Sequence, residues 1–397
     1  MTTSRLFAVV LTSFMMLSAA AVTDELDQLT DSLLDADPAL KLKSAEYAST
    51  WLDARSENQL ADPEFGFDHY WSRPNVGRKY TLQVSQSFDW PGLYGKRSRY
   101  ASAVKLSGEA SLMADRAERA SELRALIIDY AYYRELSILT SIQARLYESI
   151  ALTMEQEVDS GNVTQIDLNK ARLEAMSAKR RQRQAEQGYQ EALSSLVAAN
   201  GGRALPLDRL NRIALPAPAD LRPLAYYVEA AAQAPAIAAK RQQAAASAAG
   251  LSVAKAGRLP QFSLGYAYNN EFGDNFHGIT GSVTLPVYSR RSQVAAAEER
   301  RQALTADLDA ASAVVTADVE AAYRRAERLS SEIAQQEAVL GQNSIVPLLT
   351  EQLEAGVITA LDSSREADFQ LSYQAEQLET RYEFAQAHNA LRTLAGE

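Results

Sequence analysis

Residues 161–168 read GNVTQIDL and residues 356–363 read GVITALDS, so an eight-residue pattern returns after 195 residues. A second pair lies at nearly the same distance, because ADPEFGF at 61–67 is followed by RLPQFSL at 258–264. A period this long is not that of a short-repeat solenoid. Each copy is predicted to contain a short helix, a β-hairpin, a very long helix, a break containing glycine and a second long helix. The repeat predicts two halves of one pseudo-symmetric wall.

The repeat also predicts how the chain is divided. Residues 1–21 are predicted to be a signal peptide, because Arg5 precedes an apolar run of about a dozen residues and small residues follow. That run is shorter than the roughly 18 residues that a membrane-spanning helix needs, which argues against an anchor. We expect the first repeat at 22–202, a proline-rich connector at 203–223 and the second repeat at 224–397.

Composition argues against several classes of function. The net charge is −10, from 40 basic and 50 acidic residues, and a nucleic-acid partner calls for a basic surface. The chain has no cysteine, so we expect no disulfide and no acylated cysteine anchor. The three histidines, His69, His277 and His388, are predicted in a strand, a loop and the last helix, which gives no metal-ligand spacing. Without a phosphate-binding loop or a nucleophile motif either, we expect no enzyme activity, no metal site and no cofactor.

Four short stretches alternate between apolar and polar residues with a period of two. Each is about 8 to 11 residues long, which is the length of a tilted strand that crosses a bilayer. Aromatic residues gather near the strand ends, as in the girdles of membrane barrels. A hairpin with one face on a soluble core remains the alternative. If the strands cross a membrane, the residues predicted to face lipid are Leu82, Val84, Phe262, Leu264, Val283 and Leu285.

Four strands cannot close a barrel by themselves. Open strand edges in lipid would leave backbone groups unpaired, at several kcal/mol each. Membrane-spanning strands in this chain would therefore have to be completed by other copies.

The remaining chain has the pattern of long helices. Apolar residues at spacings of three and four predict helices at about 96–158, 165–199, 291–342 and 361–394. Helices of this length indicate coiled-coil packing. Alanine-rich segments at 295–297 and 310–313 are candidates for close helix contact.

The glycine break in each repeat is a candidate docking tip. Glycine ends a helix because it tolerates left-handed angles, and simple capping is one interpretation. Both tips also place apolar residues just beyond the glycine, and exposed apolar residues indicate a partner. The candidate docking residues are Gly161, Asn162 and Val163 in the first tip, and Gly356, Val357, Ile358 and Thr359 in the second.

Acidic residues follow each tip at equivalent positions. Asp167 and Asp362 lie in the first turn of a helix, where an acid complements the helix dipole. In an assembly of several copies they would instead form a charged ring around an aperture. Arg365, one turn after Asp362, is the candidate partner that would latch such an aperture closed.

At these residues the chain resembles the TolC family of outer-membrane efflux proteins. The family pattern of glycine, Ser/Thr and Asp at each tip is matched by Gly161, Thr164 and Asp167 and repeated by the second tip. The segment QSFDWPG at 86–92, followed by GKR at 95–97, is similar to the heavy-metal efflux subgroup, although Leu93-Tyr94 is inserted between them.

The resemblance implies a mainly α-helical protein with a membrane β-barrel. It implies a homotrimer with a 12-stranded barrel in outer-membrane lipid and an α-helical tunnel in the periplasm. A periplasmic adaptor and an inner-membrane pump would be the partners of this passive conduit, and metal ions or small toxic compounds would be its substrates. The main alternative is a periplasmic adaptor or coiled-coil scaffold, although the duplication argues against an adaptor.

Overall fold

The structure is a computed structural model, and it describes residues 19–71, 78–161, 163–218, 221–286, 290–342 and 360–397. The predicted signal peptide lies outside these residues except for its last three. The helices are α1 (Ala19–Ala36), α2 (Pro38–Ser56), α3 (Pro91–Asp159), α4 (Gln165–Ala199), α5 (Leu207–Leu210), α6 (Leu224–Ala231), α7 (Pro235–Ala256), α8 (Arg291–Gln342) and α9 (Ala360–Ala395). The strands are β1 (Glu64–Trp71), β2 (Arg78–Phe88), β3 (Gln261–Glu271) and β4 (Asp274–Thr284).

The chain folds into two compact units, and each is built from segments that are distant in sequence. The sheet unit contains residues 39–115 and 233–314, and thus all four strands. The helical unit contains the residues up to Pro38 together with 116–232 and 315–397. Each unit therefore takes segments from both predicted repeats.

The four strands form one antiparallel sheet in the order β1-β2-β3-β4. The register aligns apolar positions across all four strands, and one such row is Phe65, Val84, Tyr266 and Ile279. The next row, Glu64, Ser85, Gly265 and Thr280, points to the opposite face, because successive side chains alternate. The predicted period of two is thus confirmed, and it gives the sheet one apolar face and one polar face.

A two-residue turn joins β3 to β4. Phe272 and Gly273 both have positive φ, at 56° and 102°. This combination fits the twist of a tight antiparallel hairpin, and glycine adopts it without strain. Such a turn fixes the register of the second hairpin.

The first long helix begins earlier than the sequence pattern suggests. It starts at Pro91 and not near Lys96. Proline suits the first helical position, because its missing N–H would have no partner there. The inserted Leu93-Tyr94 therefore belongs to the first turns of α3, where Leu93 is buried and the Tyr94 hydroxyl accepts a hydrogen bond from the Asp89 N–H.

In the helical unit, α3 and α4 form a hairpin, and small side chains line the contact surface of α4. Four alanines on α4 follow one another at intervals of seven residues, and each is nearly inaccessible to solvent. This heptad spacing keeps one narrow stripe of the helix against its neighbour. The alanine-rich segments of α8 at 295–297 and 310–313 are exposed or half-exposed in the chain, whereas these four alanines on α4 are buried. They are Ala171, Ala178, Ala185 and Ala192.

Gly188 on α4 lies against the ring of Tyr133 on α3, and it provides a test of this packing. A Cβ added at position 188 would lie 2.5 Å from two ring carbons of Tyr133. A Cβ at Gly95, also within a helix, would meet nothing within 4 Å. We therefore expect Gly188→Ala to be less stable than Gly95→Ala by about 1–3 kcal/mol, the usual cost of overpacking.

The measurement is urea unfolding of both variants in detergent. Gly95→Ala should gain up to about 1 kcal/mol over the parent chain, because alanine is the better helix former. Equal shifts of the two variants would contradict the close contact between α3 and α4.

Candidate functional site

The apolar face of the sheet is exposed. Five of the six residues predicted to face lipid lie together on this face, and their exposed fractions run from 37% to 59%. They are Leu82, Val84, Phe262, Leu264 and Val283. The sixth, Leu285, lies one residue beyond the end of β4 and is 62% exposed. A contiguous exposed apolar surface of this kind indicates contact with a membrane or a partner.

The opposite face carries small and polar side chains. Ser263 and Ser282 share a hydrogen bond of 2.7 Å across β3 and β4. A Cβ at Gly265 would lie 2.7 Å from the Thr280 hydroxyl and from the Val84 carbonyl, so that only glycine fits between these strands. Phe276 is an apolar exception on this face. Such a surface suits contact with water more than contact with lipid.

Both histidines of the sheet lie on its apolar face. His69 stacks against Phe67 and meets Trp71 edge-on, with ring centroids 6.2 Å and 4.9 Å apart. His277 lies in β4 and not in a loop, so the predicted location was wrong. Its Nδ1 is 2.5 Å from the Tyr266 hydroxyl, and Tyr268 lies beside the ring. The aromatic neighbours thus accommodate both imidazoles within the apolar face.

At the junction between the sheet and α3, adjacent residues contact opposite faces of the sheet. The Asp89 carboxylate accepts hydrogen bonds from Gln261, which lies on the polar face, and from Arg97 in the first turns of α3. The next residue, Trp90, packs on Phe262 of the apolar face, with ring centroids 5.8 Å apart. Adjacent residues therefore continue the polar and the apolar sides past the end of β2.

The first hairpin tip is a tight turn followed by a capped helix. Gly161 has a φ of 74°, in the region that favours glycine. The Thr164 hydroxyl accepts a hydrogen bond from the Asp167 N–H at 3.2 Å and donates one to its carboxylate at 2.6 Å. That hydrogen bond lowers the pKa of Asp167, and the positive charges of Lys170 and Arg365 act in the same direction. The local pattern is an N-cap.

Apolar exposure near this tip differs from the sequence prediction. Val163 is half-buried, since it packs against the cluster of Ile150, Met154 and Leu168 inside the hairpin. The exposed apolar residues follow on α4 at spacings of seven and three, with exposed fractions of 66–68%. This stripe was not predicted from the sequence, although the helical spacing of the three residues is itself a signal. We call Ile166, Leu173 and Met176 the α4 stripe.

Two of the aperture candidates lie within electrostatic range of each other. The charge of Arg365, an exposed residue on α9, reaches Asp167 on α4 and helps to keep it ionised. Asp362 falls within α9, but its side chain lies outside the described residues. The other tip candidates outside the described residues are Asn162, Gly356, Val357, Ile358 and Thr359.

Polar contacts hold α9 against α3 along much of its length. The Tyr147 hydroxyl donates to Asp368, and the Tyr382 hydroxyl donates to Asp129 at 2.9 Å. Between them Gln143 donates to Ser372 at 3.2 Å. Burial raises the pKa of Asp129 and of both tyrosines. Hydrogen bonds between partly buried groups are specific, because a lost partner leaves a polar atom without water.

The described residues contain no group of three or more His, Cys, Asp or Glu side chains that could hold a metal ion. None of the helices in this part of the chain has a segment both long and apolar enough to cross a membrane.

Two comparisons of sequence identify relatives of the chain. Residues 226–397 match the sequence profile of the family described as "Outer membrane efflux protein". The pyoverdine export outer membrane protein OpmQ of Pseudomonas putida is 27% identical over 340 residues, which cover 79% of this chain and 69% of the relative.

Solved structures show the same fold over nearly the whole chain. The Campylobacter jejuni CmeC outer membrane channel is 15% identical, with a TM-score of 0.74 and coverage of 94% of this chain and 85% of that one. The outer membrane protein VceC of Vibrio cholerae is 16% identical, with a TM-score of 0.72 and coverage of 94% and 96%. By their descriptions, OpmQ is an export protein of the outer membrane and CmeC is an outer membrane channel. In its sequence over residues 226–397, and in its fold over nearly the whole chain, the protein is similar to outer membrane efflux proteins.

Proposed function

We propose that three copies of this chain form one efflux conduit, in which each copy contributes four strands to a 12-stranded barrel. The observation that carries the proposal is the sheet itself. Its outer strands, β1 and β4, each pair on one side only within the chain, and the sheet presents one broad apolar face. Closure with neighbouring copies would pair both edges, which lipid requires.

The helical hairpin tips are the surface proposed for the periplasmic adaptor. Members of the family function in tripartite assemblies with an adaptor and an inner-membrane pump. In this chain, the exposed α4 stripe begins at Ile166, directly after the capped tip, and offers an apolar surface for a helical partner. The proposed conduit is passive, and the pump supplies the energy.

Export of metal ions stays a prediction that follows from the resemblance to the heavy-metal subgroup. OpmQ, by its name, exports pyoverdine. The chain is 27% identical to that relative over 340 residues. The substrate of this chain is a separate question, which depends on the chemistry of its own residues.

The first prediction from this proposal concerns the two faces of the sheet. Val84→Arg should cost about 2–4 kcal/mol if the residue lies near the bilayer midplane, because arginine would be buried in lipid. Ser85→Arg, one residue away on the polar face, should cost much less, since water would reach it. The measurements are trimer yield in the outer membrane and molar mass by light scattering with correction for detergent.

Leu264→Arg and Ser263→Arg repeat the comparison on β3. Equal losses of trimer on both faces would contradict the assignment to lipid and water, and a monodisperse monomer with native β-structure would contradict the barrel.

The second prediction separates adaptor docking from ordinary capping. Gly161 and Gly202 have nearly equal φ values of 74° and 75°, and an added Cβ meets nothing within 4 Å at either site. Alanine should therefore impose a similar backbone strain of about 1 kcal/mol at both. Only Gly161→Ala distorts the tip, so we expect it to reduce efflux while the trimer level stays normal.

Gly202→Ala is the matched control, because it follows α4 at the end remote from the tip. The direct measurement is drug or siderophore accumulation in cells that carry each variant with its pump and adaptor. If both variants export equally well, the first tip is not part of the docking surface.

The third prediction concerns the aperture. We propose that Arg365 helps to hold α9 against the first turn of α4 through its attraction to Asp167. Arg365→Ala should then raise single-channel conductance in planar bilayers, whereas Asp362→Ala should lower cation preference if the acid belongs to a charged ring. Arg324→Ala is the control, since that arginine is 75% exposed on α8 and pairs with Glu320 on the same helix. Conductance unchanged by Arg365→Ala would contradict the latch.

A further inference from the structure

A groove in the sheet unit has no role in the proposal so far. It lies among α2, α3, α7 and α8 and has a volume of about 720 Å³. This is within the range of sites that hold small organic molecules, about 300–1,000 Å³. Part of its lining is apolar, with Leu93, Leu251 and Leu304 among its residues. We call it the arginine groove, because Arg97, Arg290 and Arg300 also line it.

The cations of the groove are only partly compensated. Arg97 pairs with Asp89. Among the described residues, no carboxylate forms an ion pair with Arg290 or Arg300 within 4.0 Å. Glu57 is the acidic residue in the described lining, and it faces three arginines. The groove therefore carries an excess of positive charge, although the chain as a whole is acidic.

The Arg290 guanidinium lies against Gly257. Its Nη1 lies so close to Gly257 that a Cβ there would be only 2.4 Å away. Gly257 is the residue that follows α7, and its missing side chain leaves room for the guanidinium. A guanidinium that rests on backbone without a carboxylate partner presents its remaining N–H groups to a ligand.

The groove is connected to the polar side of the sheet. Arg97 lines it and donates to Asp89, whose other oxygen accepts a hydrogen bond of 2.6 Å from Gln261 on the polar face. Trp90, by contrast, turns to the apolar face. The groove is therefore linked by hydrogen bonds to the polar face of the sheet and not to its apolar face.

We propose that the arginine groove binds the exported solute, and that this solute is an organic anion with an apolar body. The arginines would bind its carboxylate or sulfonate, for which the planar guanidinium is well suited, and the leucines would contact its apolar part. This inference rests on the proposed conduit, since it places the groove on the wall that the solute passes.

The test is block of single-channel current by naphthalene-2-sulfonate in planar bilayers, with the full-length chain. The neutral naphthalene-2-methanol has nearly the same apolar body and should block much more weakly. Arg290→Gln should weaken the block about tenfold, as expected for loss of one charge-assisted hydrogen bond. Arg291→Gln removes the same charge at the next residue, which does not line the groove, and should leave the block unchanged.

Gly257→Ala provides a second variant that keeps every charge. The new methyl group would displace the Arg290 guanidinium, so this variant should also weaken the block, while open-channel conductance stays near that of the parent. The comparison includes only those variants that form trimers and conduct current.

Four outcomes would overturn the proposal. Equal weakening of the block by Arg290→Gln and Arg291→Gln would mean that the anion responds to the overall positive charge and not to a site at Arg290. Equal block by the neutral compound would mean that apolar contact alone binds it. A phospholipid that copurifies in native mass spectrometry and is lost in Arg290→Gln but not in Arg291→Gln would mean a lipid site. Normal conductance without block would overturn the groove alone, whereas absence of any conductance would contradict the conduit itself.

Discussion

The hydrogen-bonding requirement of strand edges governs the rest of this structure. A β-strand in lipid has no water for its backbone groups, so each edge must find another strand. The sheet of this chain has four strands, and β1 and β4 each have one edge without a neighbouring strand in the sheet. The two hairpins are separated by residues 89–260 in the sequence, yet β2 and β3 pair at the centre of the sheet. Duplication of the hairpin unit supplies the strands in pairs, and the proposed assembly of three copies would complete the pairing.

The helices meet a different constraint, which is close approach over a long distance. Alanines at heptad spacing on α4 present small side chains to the neighbouring helix, and Gly188 leaves room for the ring of Tyr133. Between α3 and α9 the contact is polar, through pairs such as Tyr382 with Asp129. Apolar packing tolerates small displacements of one helix past another, whereas hydrogen bonds fix the register. The two neighbours of α3 are therefore held by different physical means.

Much of this architecture could be predicted from the sequence, because strand alternation and helix periodicity are local signals. The apolar face was predicted residue by residue, and the long helices were placed within a few residues of their observed ends. The start of α3 at Pro91 was missed because proline was taken as a break and not as a first helical residue. Val163 was expected at an exposed tip, but whether a residue of a turn folds back onto its own hairpin depends on tertiary contacts that no periodicity shows. The arginine groove was missed for the same reason, since its arginines come from α3, α8 and the residue before α8.

The two-residue turn at Phe272-Gly273 has a consequence for how the length of the second hairpin can vary. A residue inserted into so short a turn has to be taken up by a bulge or by a shift of β4 by one position. Because side chains alternate, the shift would exchange Ile279 and Val283 for Thr280 and Ser282 on the apolar face. Unless a bulge absorbs it, even a single insertion at this turn would therefore reverse the polarity of one strand.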